Sequence, residues 1–151
     1  MDTTDQHWSA PNESEIGHTS PTVWVMPGDE DIEGWYLGFF SSQRDDHTHA
    51  GERPIRGRGC QACRWFEMSL WRTTDGAYVL VRQNVTRVPS ERDFTHLHRV
   101  EAAADLLGVA DMGVRSRPMR ALLEAAAPHD EAVAQVAWAT RWDTPTWETV
   151  R

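Results

Sequence analysis

The residues that carry the most chemistry are His47, His49, Cys60 and Cys63: two histidines one position apart and the only two cysteines in the chain, with residues 50–59 between the pairs. Thiolate and imidazole are the ligands tetrahedral zinc prefers, and an H-x-H followed by C-x-x-C supplies a full set of four. The intervening stretch holds Pro54 and the glycines Gly51, Gly57 and Gly59, a composition that lets both pairs turn onto one ion. The expectation is therefore a Zn2+ site on His47, His49, Cys60 and Cys63. Two alternatives stay open. The cysteines can instead form a redox or disulfide pair, although a redox C-x-x-C normally opens a helix and Cys63 runs into an alternating segment, Arg64 to Trp71. The second pair His96 and His98, spaced to share one face of a strand, can replace or supplement His47 and His49.

Whether such a metal would be catalytic turns on an open coordination position and a neighbouring carboxylate. Asp45, Asp46, Glu52 and Glu67 are the candidates, Glu67 being the best anchored because it lies on the strand that follows Cys63. The deaminase pattern H-x-E with P-C-x-x-C is not met: Thr48 stands where its glutamate would be, and Gly59 precedes Cys60. Four protein ligands close a site, so a structural zinc is expected and a zinc-dependent hydrolase ranks third among the functions.

The elements that must position these residues follow from periodicity. Val23 to Met26 and Gly34 to Phe40 read as strands around an acidic turn at Pro27-Gly28-Asp29. Arg64 to Arg72 and Ala77 to Thr86 form a hairpin, with Asp75-Gly76 supplying the positive φ of its turn. Asp93 to Val100 is read as a further strand, with a helix begun by Ser90 as the competitor. Three helical pieces follow: Glu101 to Gly108, a helix capped by Ser116 with Pro118 in its first turn, and, beyond the breaker Pro128, a helix capped by Asp130. The fold expected is α+β, a small antiparallel sheet with a zinc-binding loop before its central hairpin and short C-terminal helices packed on one face. Residues 1–22 are read as a disordered acidic tail, 23–142 as the zinc-stabilised domain and 143–151 as a C-terminal tail.

The net charge of -8 resides in the first 33 residues, which contain eight acids and no arginine or lysine. The remainder balances fifteen acids against fifteen arginines. Lysine is absent, which excludes Schiff-base and Walker-lysine chemistry. An arginine-only, alanine-rich composition fits a GC-rich genome such as that of an actinobacterium or a virus infecting one. No apolar run reaches the length of a membrane span and the amino terminus is polar, so a cytoplasmic protein with no membrane partner is expected.

The string Asp46-His47-Thr48-His49-Ala50-Gly51, then Cys60-Gln61-Ala62-Cys63-Arg64-Trp65-Phe66-Glu67, a hairpin, and Ala121-Leu122-Leu123-Glu124-Ala125-Ala126-Ala127 resembles small uncharacterised proteins of actinobacteria and their phages, over about residues 35 to 140. The resemblance implies a compartment and a zinc-bearing core but no reaction and no catalytic residues.

Two contact surfaces remain. Arg53, Arg56, Arg58 and Arg64 crowd the metal loop, and Trp65 and Trp71, on one face of a strand, offer stacking surfaces for a nucleic acid. Trp138, Trp142 and Trp147 gather near the carboxyl end, where tryptophan either closes the core or anchors a protein partner. The function expected is a non-enzymatic zinc-stabilised accessory protein, phage-encoded, that binds and modulates a host macromolecule. A nucleic-acid-binding zinc module is the alternative.

Overall fold

The structure, a computed structural model, describes residues 2–4, 8–43, 64–87, 90–109 and 117–140. Its centre is an antiparallel sheet of six strands: β1 (Asp2–Thr4), β2 (Thr22–Val25), β3 (Asp31–Ser41), β4 (Arg64–Thr73), β5 (Tyr78–Thr86) and β6 (Phe94–Val100). Their spatial order is β1-β6-β5-β4-β3-β2, so every neighbouring pair except β1 with β6 is also a chain neighbour. The expected α+β class is correct, as is the hairpin: β4 pairs with β5 from Arg64↔Thr86 to Arg72↔Tyr78, and Gly76 turns the corner at φ +91°. The expected strand over Asp93 to Val100 is β6, which competes successfully with the helical alternative.

Alternation along β4 and β5 makes two faces. Met68, Leu70, Tyr78 and Leu80 point to one, which is covered by helices α1 (Arg117–Ala126) and α2 (Glu131–Thr140) and by a 3-10 turn at Ala103–Gly108. Met119, Leu122, Leu123 and Ala126 of α1 and Val133 of α2 are fully buried there. Pro128 ends α1 in a short 3-10 turn, and Asp130 caps α2 by accepting the Val133 amide at 2.9 Å. The expected cap at Ser116 lies outside the described residues, and the stretch expected to be helical from Glu101 is a 3-10 turn from Ala103.

A bulge at Leu37, where pairing shifts between Tyr36 and Gly38, reverses the faces of β3. It sends Tyr36 to the second face and lets Gly38 lie under α1, where a Cβ would come 3.1 Å from that of Ala126.

The second face holds Trp24, Met26, Tyr36, Trp71, Val79 and Val81. Its cover corrects the expected disordered tail: from Trp8 onward that segment is packed. Trp8 meets Trp71 edge-on at 6.0 Å and its indole donates to the Val25 carbonyl at 3.0 Å, while its own carbonyl accepts from Gln83. Ile16 packs on the same cluster, and the Tyr36 hydroxyl donates to the Pro11 carbonyl at 3.2 Å. The reason is that three aromatic rings on this face would otherwise stand in water, and covering them offsets the ordering of residues 9–21, eight of which are polar.

Candidate functional site: a groove at the ends of β4, β5 and β6

The helices cover only part of the first face. At the end where β3 leaves and β4 enters, Phe66, Asn84 and Phe94 stand side by side, set by the pairings Phe66↔Asn84 and Asn84↔Phe94. They floor a groove of about 800 Å3 whose walls include Ser42, Arg64 and Glu91. The β3–β4 ladder runs to the groove's lip, where Ser42 and Phe66 exchange backbone and hydroxyl hydrogen bonds at 2.9 Å.

One wall is built by a charge pair. Arg64 Nε donates to Glu91 Oε1 at 2.8 Å and its Nη2 reaches Oε2 at 2.5 Å, a bidentate fork. Thr86 Oγ1 donates to the same carboxylate at 2.7 Å. The Arg64 hydrogen bonds, followed by that of Thr86, pull the Glu91 carboxyl down to about 2. The loop between β5 and β6 is closed by Asp93, whose Oδ1 accepts the Thr86 amide at 2.9 Å.

The floor is aromatic, and its Phe66 ring carries an arginine. The Arg82 guanidinium stands 5.0 Å over the ring of Phe66, and Phe40 tilts against Phe66 at 5.9 Å on the side toward the helices. On the opposite face Arg87 lies 5.3 Å over Trp65, whose indole donates to Glu67 at 3.2 Å. Phe94, 49% exposed, is the large apolar side chain the groove presents to water. Flat rings beside guanidinium groups recognise planar or anionic groups by stacking and charge-assisted hydrogen bonding.

Of the residues predicted to act, His47, His49, Cys60, Cys63, Arg53, Arg56, Arg58, Trp142 and Trp147 lie outside the described residues. Arg64 directly follows Cys63 in the chain and its guanidinium is held by Glu91. Trp65 and Trp71 do share a face, but the stacking role expected of Trp71 is corrected: it is fully buried, lying on Tyr36 at 4.9 Å and 18°. His96 and His98 share the helix-side face, opposite Arg82 and Leu80, as their spacing requires. Among the described residues no group of three or more potential metal ligands is found. Glu67 is half-buried and bonded to Trp65. Trp138 is 57% exposed on α2, beside a hollow of about 380 Å3 between the helices, so it does not close the core.

Asn84, Glu91 and Phe94 were missed by sequence reasoning. Nothing in the local pattern marks them, because they meet only through the pairing of three strands. No family model, curated protein or solved structure matches the chain. No helix among the described residues is long and apolar enough to cross a membrane.

Proposed function

We propose that this chain is a non-enzymatic accessory protein, phage-encoded, that binds and modulates a macromolecule of an actinobacterial host, with zinc on His47, His49, Cys60 and Cys63 as a structural ion. One observation carries the reading: the groove walled by Arg64 and floored by Phe66 and Phe94 opens where the metal-motif segment rejoins the sheet, because Arg64 is the residue after Cys63. A ligand cluster at that position would border the groove, and the two would then make one contact surface. The chemistry of that surface is recognition: an exposed aromatic ring, hydrogen-bonding Asn84 and a fixed ion pair.

The Arg87–Trp65 and Arg82–Phe66 stacks favour a second reading, a module for single-stranded nucleic acid. The overall acidity and the commitment of Arg64 to Glu91 favour a protein partner instead.

The test joins metal and surface. Elemental analysis of the purified chain is expected to give one zinc, lost in His47→Ala and Cys60→Ser. Affinity capture from an actinobacterial lysate is expected to retain a defined protein, insensitive to nuclease and lost with Phe94→Ala at unchanged thermal stability. Nuclease-sensitive capture would transfer the reading to nucleic acid. A zinc-free protein, or capture indifferent to Phe94, would overturn it.

A further inference from the structure

A second surface lies at the other end of the sheet order, on the outer edge of β2. The hairpin-closing bond from the Met26 amide to the Glu30 carbonyl, 2.7 Å, sets the phase of the β2–β3 ladder. With the register Trp24↔Ile32 and Thr22↔Gly34, the residues that exchange hydrogen bonds with β3 are Thr22, Trp24 and Met26. The amides and carbonyls of Val23 and Val25 therefore point away from the sheet. The Val25 carbonyl is taken by the Trp8 indole at 3.0 Å, which leaves the Val23 amide, the Val23 carbonyl and the Val25 amide directed outward.

The side chains of these same residues are 58% and 61% exposed, making Val23 and Val25 two of the four large apolar side chains exposed among the described residues. Edge strands are usually blunted by charge, proline or a bulge, and β2 carries none of these between Pro21 and Pro27. Its acids sit one strand further in. Val23 faces Glu33 and Val25 faces Asp31 across the ladder, both acids exposed and neither ion-paired among the described residues. Asp29 and Glu30 at the hairpin tip add to the field, and the described residues from 8 to 43 contain no arginine or lysine.

That layout selects its occupant. A second copy pairing through its own β2 would add another acidic row about three strand spacings away, roughly 14–15 Å, and no cation to offset either row. An added strand with arginine or lysine at alternate positions would lay its aliphatic stems over Val23 and Val25, with the charged ends reaching about two strand spacings, roughly 9–10 Å, to Glu33 and Asp31. We propose that the outer edge of β2 is a docking site for an extended basic segment of a protein partner, which adds to the sheet as a seventh strand through the Val23 and Val25 backbone groups. This is strand addition, in which main-chain hydrogen bonds supply affinity and alternate side chains supply specificity. It is independent of the groove, which is built from the ends of β4, β5 and β6.

The test uses the full chain and a soluble peptide of about eight residues alternating valine with arginine. Amide exchange is expected to slow at Val23 and Val25 on binding. Val23→Pro, which removes an outward amide but no ladder bond, is expected to weaken binding about tenfold or more. Should that proline disturb the hairpin, the double variant Asp31→Arg with Glu33→Arg tests the charge alone, and is expected to lose the arginine peptide and take up its glutamate counterpart. Equal binding of a peptide with alternate backbone amides methylated would reduce the effect to bulk charge and overturn the proposal. So would absence of binding, or concentration-dependent self-association that protects Val23 and Val25 without peptide. None of these outcomes touches Phe94 or the zinc, so the edge can fail while the groove reading stands.

Discussion

Asp130 and Tyr78, 52 positions apart, are joined by a buried hydrogen bond in which the phenol donates to Oδ1 at 3.0 Å, tying the start of α2 to the middle of the sheet. The same carboxylate caps α2 through the Val133 amide and lies 3.3 Å from the Arg72 guanidinium, which in turn stacks over Trp35 at 4.5 Å. One side chain with no exposure thus satisfies a helix end, a phenol and a cation. Asp130→Ala leaves the Val133 amide and the buried phenol without their acceptor while Arg72, 39% exposed, turns to water, and is expected to cost about 2–4 kcal/mol. Asp130→Asn, which keeps an acceptor for the cap, is expected to lose about 1–3 kcal/mol. Urea denaturation of both variants checks the order.

Tyr78 links that contact to alkaline pH. Burial first, then the Asp130 carboxylate, pushes its phenol up from 10.0 to about 12. The folded state holds this proton where the unfolded chain releases it, so the contribution is complete below pH 10 and is lost as pH rises toward 12. Tyr36, also raised by burial, acts in the same direction. Thermal melts across this window are expected to fall less steeply in Tyr78→Phe than in the native chain.

Trp8 decides whether the amino-terminal segment is a tail or a cover. Its ring on Trp71, its indole bond to Val25 and the bond of Gln83 to its carbonyl make it part of the second core. Trp8→Ala is expected to lose about 2–4 kcal/mol and to raise exchange at Val79 and Val81. A tail residue would leave both unchanged.

The strands were legible because β4 and β5 are runs rich in aromatic and β-branched residues joined by Asp75-Gly76, and α2 was legible because Asp130 stands where a cap must and Pro128 where a helix must stop. What local pattern could not convey was the second face. Trp71 and Val79 point away from the helices, so this sheet needs cover on both sides, and the candidates for that cover lay in a segment whose acids and serines read as disorder. Trp8 and Ile16 pack it onto that face, and the bonds of Tyr36 to Pro11 and of Trp35 to Thr19 add to the hold. The groove escaped for a different reason: Arg64 and Glu91 are 27 positions apart, and no short-range signal connects them.

Glu91 gives the groove an acid limit. Its carboxyl, brought down from 4.5 to about 2 by Arg64 and then Thr86, contributes stability that is present above pH 4.5 and lost as pH falls toward 2. Glu91→Gln is expected to remove that part of the acid slope while leaving the neutral fold intact. Exchange of the Thr86 amide, measured against pH in both proteins, would show whether the β5–β6 loop opens with it.

Metal removal tests the proposed structural zinc. A closed set of two imidazoles and two thiolates binds in competition with protons and contributes its binding free energy to the folded state. Chelation at neutral pH is therefore expected to lower the melting temperature, and the loss should disappear in Cys60→Ser, which has no site left to empty. The groove gives a second reading of the same event. Because Arg64 follows Cys63, freeing the cysteine is expected to loosen the Arg64–Glu91 fork, so that the Glu91 carboxyl, followed by NMR, rises back toward its ordinary value in the chelated protein. If the melting temperature drops with chelator in His47→Ala as much as in the native chain, the imidazole ligands are His96 and His98 on β6.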